Sequence, residues 1–101
     1  MKAKLCLNKI EILLENMRTQ DTVERLQSYA ALETIIKLLD EQSCSMRGMR
    51  INVFEEYRNK LVWHCQAICG LDEGIGYQEE QHFSGAQGEI DNMKSVHCFN
   101  I

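Results

Sequence analysis

The chain has 101 residues, 45% hydrophobic and 26% charged, which suits one globular domain with a modest core and leaves no room for two. Its net charge of −4 is uneven: residues 1–70 hold ten Lys/Arg against nine Asp/Glu (+1), and residues 71–101 hold one lysine against six acids (−5). Such a balance argues against a general nucleic-acid binder, which needs a clustered basic surface, and no apolar run approaches the length of a bilayer span.

Proline is absent, so nothing in the composition forbids long helices. At the start, "MKAKLCLNKIEILLEN" sets basic residues before an apolar segment, but Lys9, Glu11 and Glu15 interrupt it. That is not the continuous apolar core of a signal peptide. With five cysteines, an odd number, reduced thiols in a cytoplasm are expected rather than a disulfide framework.

The first predicted helix runs from about Lys4 to Met17. Leu7, Ile10, Leu14 and Met17 recur at three- and four-residue steps, widened by Cys6 and Leu13. In the second, "DTVE" offers Asp21 as N-cap with Glu24 three residues on, a capping box. To about Gln42 it carries a broad apolar face of Val23, Leu26, Ala30, Leu32, Ile35, Ile36 and Leu39, flanked by Tyr29 and Leu38. That stripe is too wide for two short neighbours to cover, which points to self-association.

The stretch "SCSMRGMR" then breaks the pattern. The third helix carries Ile51, Phe54, Leu61, Cys65 and Ile68, with Tyr57, Val62 and Cys69 beside them and Arg58 interrupting the seam. Gly70 stands where a left-handed C-cap is expected. Beyond it, Gly70, Gly74, Gly76, Gly85 and Gly88 are mixed with acids, a composition that predicts loop. The end, "EIDNMKSVHCFNI", recovers apolar residues and reads as a short docked helix or strand. The expected architecture is all-α: a three-helix domain over 1–70, its second and third helices forming a long antiparallel hairpin, and a Gly-rich acidic segment over 71–101.

"VWHCQAICG" is the stretch richest in reactive side chains. On a helix, Cys65 and Cys69 share the apolar stripe and His64 lies at its margin. Buried cysteines behave as small hydrophobes, so both are read as core. The competing reading is a zinc-supported fold with His64, Cys65 and Cys69 completed by His82, His97 or Cys98. Against it, structural zinc sites favour tight cysteine knuckles on loops. Thiol catalysis is disfavoured because a helix C-terminus opposes a thiolate, and no phosphate-cradling loop or nucleophile elbow is present. The terminal "CFNI" departs from a prenylation box at Asn100.

Binding is assigned to surfaces instead. Trp63 falls on the polar side of the third helix and needs a cover: the chain's own end, through Tyr77 or Phe83, or a partner, since Trp and Tyr are enriched in hot spots. Tyr57, Arg58 and Lys60 complete that candidate partner-binding set. Arg47 and Arg50 flank Gly48 near a helix N-terminus and form a candidate anion site for a nucleotide or nucleic acid. Glu73, Glu79, Glu80, Glu89 and Asp91 read as a solvating tail rather than a phosphate mimic. The function expected is non-enzymatic: an interaction protein that self-associates and regulates, inhibits or adapts a protein partner, without a cofactor. The alternatives are the anionic-ligand binder and the zinc or thiol protein.

Overall fold

The computed structural model describes residues 2–42, 49–71 and 79–98. Among them are four helices and no strand: α1 (Lys2–Met17), α2 (Thr22–Gln42), α3 (Met49–Ile68) and α4 (Glu79–Cys98). The all-α class is as the sequence predicts. The three-helix count is not, because residues 79–98 form one helix of 20 residues, where the sequence predicts a loop followed by a short docked helix or strand.

α4 forms despite Gly85 and Gly88 because Phe83, Ala86, Ile90 and Met93 repeat at three- and four-residue steps, and all four are buried. Each helical glycine costs about 1 kcal/mol relative to alanine. Burial of each large apolar side chain stabilises by about 1.5–3 kcal/mol, so packing wins. These side chains join Leu7, Ile10, Leu32, Leu39, Phe54 and Leu61 in one core cluster with α1, α2 and α3.

Cross-helix pairs set the directions. Arg18 near the end of α1 meets Glu80 at the start of α4, while Glu11 takes Lys94 and Gln87 further along. Asp40 late in α2 meets Arg58 early in α3, and Arg25 early in α2 reaches the Ile68 carbonyl at the end of α3. The helices therefore run up, down, up, down. α2 and α3 are antiparallel as expected but touch sparsely; the extensive interfaces are α3 with α4 and α1 with α2. The reason is competition: α4 lays a complete apolar stripe on α3, and its small Gly85 and Ala86 let the two come close.

The helix ends follow local chemistry. The Asp21 carboxylate accepts from the Glu24 N–H at 2.9 Å and the Glu24 carboxylate from the Asp21 N–H at 3.0 Å, the reciprocal capping box. Gly70 has φ +73°. The Leu71 N–H donates to the Gln66 carbonyl at 2.8 Å and the Gly70 N–H to Ala67 at 3.1 Å, a Schellman close to α3.

Candidate functional site

The end of the bundle where α1 and α3 stop and α2 and α4 start is organised by Arg25. Its Nε donates to the Met17 carbonyl at 2.8 Å and its Nη1 to the Ile68 carbonyl at 3.2 Å. One guanidinium thus bonds carbonyls at two helix C-termini. It also pairs with Glu79, while Arg18 holds Glu80 at 2.7 Å. Both arginines lie over the buried Phe83 ring, at 4.5 Å for Arg18 and 5.4 Å for Arg25, within cation–π range. The acids at the start of α4 are therefore fastened to an arginine in the turn after α1 and to one in α2.

Beside this hub, α3 and α4 bring two histidines together. His64 Nδ1 and His82 Nδ1 lie 3.0 Å apart, and Trp63 packs on both rings at centroid distances of 4.9 and 5.0 Å. His82 is 5% exposed, and its Nε2 is buried with no hydrogen-bond partner. Burial, with the neighbouring His82, pushes His64 below the ordinary histidine value. Gly85 makes the approach possible, since a Cβ there would fall 2.5 Å from His64 Cε1. A cavity of about 300 Å³ adjoins the cluster, lined in part by Arg25, Cys69, Glu79 and His82.

Cys65 and Cys69 are core, as their stripe predicts. Burial pushes the Cys65 thiol up to about 12 and the Cys69 thiol up to about 11, and the Cys69 thiol donates to the Arg25 carbonyl at 3.5 Å. Both are neutral thiols at physiological pH, the opposite of a poised nucleophile. Among the described residues no group of three or more His, Cys, Asp or Glu is placed to hold a metal ion. His64, one of the zinc candidates, turns to His82. The side chains of His97 and Cys98 lie outside the described residues.

The four residues assigned to one partner surface are spread around α3. Trp63 is 46% exposed, and the part of it that is covered meets His82 of α4. Phe83 faces the core instead, and Tyr77 is outside the described residues. Arg58 lies about 140° around the helix from Trp63 and grips Asp40 with two bonds, at 3.1 and 2.8 Å. Tyr57 packs against the core, and the exposed Lys60 pairs with Glu56 at 3.4 Å. Of the anion candidates, Arg47 and the side chain of Arg50 fall outside the described residues. The acidic end is engaged by Arg18 and Arg25, which the sequence reading did not single out. Their signal was faint: basic residues flanking the turn between two helices.

A further apolar surface is the outer side of α2. Leu32, Ile36 and Leu39 are buried, yet Val23, Leu26 and Leu38 are 65%, 43% and 45% exposed. With the exposed Ala30 and Thr34 they recur at three- and four-residue steps opposite the buried stripe. The Thr34 hydroxyl donates back to the Ala30 carbonyl at 3.2 Å, so it leaves no unmet donor on that face. What reads in sequence as one broad stripe is two, one on each side of the helix. On α1, Leu5 and Ile12, seven apart, are exposed in the same manner.

Comparison with protein-family models, curated proteins and solved structures finds no match to this chain. No described helix is long and apolar enough to cross a membrane.

Proposed function

We propose that this chain is a small non-enzymatic interaction protein that associates with a second copy of itself and regulates, inhibits or adapts a protein partner. The observation that carries the reading is the second apolar stripe of α2, with Val23, Leu26 and Leu38 exposed along it. Scattered surface hydrophobics need no explanation, but residues aligned along one face do. Laid antiparallel on a like helix, Val23 and Leu26 near one end meet Leu38 near the other. The small Ala30 and Ala31 fall at the crossing, where they let two helices approach. This is the self-complementary arrangement of a two-fold interface. Trp63, half-exposed beside the histidine pair, is the anchor a different partner would use.

The test is the triple variant Val23→Gln, Leu26→Gln, Leu38→Gln. None of these side chains is in the core, so helicity is expected to be unchanged. In the parent, Tm should rise with protein concentration, because association stabilises the folded chain by mass action; in the variant that dependence should vanish. A parent whose Tm is independent of concentration removes self-association from the reading.

A further inference from the structure

The four ring nitrogens of His64 and His82 face unequal surroundings. The two Nδ1 atoms face each other at 3.0 Å, so one must carry the hydrogen and the other a bare lone pair. His82 Nε2 is buried without a partner. With both rings neutral, two hydrogens are shared among four nitrogens, and the tautomer that keeps an N–H out of the buried site has His82 donating Nδ1–H to His64 Nδ1, His64 carrying its one hydrogen on Nε2 and His82 Nε2 bare.

A third proton has no good place. If the Nδ1–Nδ1 bond is kept, the single bare nitrogen is one of that pair, and His82 Nε2 must carry an N–H that finds no acceptor. If His82 Nε2 stays bare, both Nδ1 atoms carry hydrogens pointing at each other and the bond is lost. We propose that the His64–His82 pair is a proton-sensitive latch between α3 and α4, closed when both rings are neutral and released by uptake of one proton, uncovering the half-exposed Trp63 indole.

Most of the surrounding charges are already paired with one another. From α2 and the start of α4, Arg25 and Glu79 share the cavity with His82, but they pair with each other. Glu80 is held by Arg18, in the turn after α1, which also takes Glu15. On α3, Lys60 one turn before His64 pairs with Glu56, and Cys65 and Cys69 are neutral thiols. Each of these carboxylates has a cation already, whereas Glu89, one turn along α4 from Gly85, keeps a buried Oε2 without a hydrogen-bond partner. Gly85 allows no retreat, because the His64 ring lies against its backbone.

The sign follows from the lowered His64 value. The unfolded chain takes up protons through the ordinary value of 6.5, whereas the closed latch resists them. Its contribution is complete above that value and is lost as pH falls through the lowered one. For one proton, the opening equilibrium constant rises by at most about tenfold per pH unit.

The experiment follows Trp63, the only tryptophan in the chain, by fluorescence, together with urea stability, between about pH 8 and 5. The parent protein should lose stability below the ordinary histidine value, with a change in Trp63 emission over the same range. His82→Leu fills the buried site without a titrating group, and His64→Gln keeps a hydrogen-bonding partner for His82; both should flatten the two profiles. Profiles of the parent that are already flat, or a slope that survives in whichever variant folds, would overturn the latch.

Discussion

Gly85 and Gly88 lie on the same helix three residues apart, and the structure gives them opposite roles. Nothing stands within 4 Å of a Cβ built on Gly88, whereas one on Gly85 drives into the His64 ring. Gly88→Ala should therefore stabilise the protein by about 0.5–1 kcal/mol, through helix propensity and a less flexible unfolded chain. Gly85→Ala should instead destabilise by about 1–3 kcal/mol, the usual range for overpacking, with Trp63 emission altered. Urea unfolding of the two variants checks both; equal shifts would mean that the His64 contact does not constrain the site. The thiols make a second residue-scale prediction. Cys65 and Cys69, buried and pushed up to about 12 and about 11, should remain unmodified by a thiol reagent at neutral pH until the protein is unfolded. Rapid labelling of either in the native protein would contradict their placement in the core.

At the scale of elements, the bundle depends on how its helix ends are closed, and Arg25 closes two of them. Arg25→Met keeps much of the apolar stem but removes the donors to Met17 and Ile68 and the partner of Glu79. A loss of roughly 2–4 kcal/mol is expected, as for a partly buried charged hydrogen-bond network; a loss no larger than the roughly 1 kcal/mol expected for removing the Asp21 cap would demote it to a surface residue. These ends also show what is legible in a sequence. The Asp21–Glu24 box and the Gly70 close are local motifs with few alternatives, and both stand where the spacing puts them. The stripe of α1 is equally local, and so is the placement of Cys65 and Cys69 in the core. α4 was missed because its glycines speak locally for loop, while the reason for helix, the contact of Phe83, Ile90 and Met93 with other helices, is tertiary. The role of Arg25 was missed for the same cause, since the Ile68 carbonyl lies 43 residues away, and His64 and His82 group in sequence only as zinc candidates because their direct ring contact spans 18 residues.

Over the whole molecule, the decisive feature is that α2 is apolar on two sides while the bundle covers only one. The sequence displays the width of that stripe but not its division, because a list of apolar positions does not say which neighbour takes each. Adding α4 to the bundle completes the inner side and leaves Val23, Leu26 and Leu38 outside, so the fourth helix does not remove the argument for association. The same four-helix closure disperses the assumed Trp63 surface: Arg58 is drawn to α2, Tyr57 inward, and Trp63 towards α4. The measurement that tests self-association most directly is native mass spectrometry of the untagged protein over a range of concentrations. The account predicts a dimer that dissociates on dilution and is absent from the Val23, Leu26 and Leu38 glutamine variant. A monomer at every concentration would contradict it.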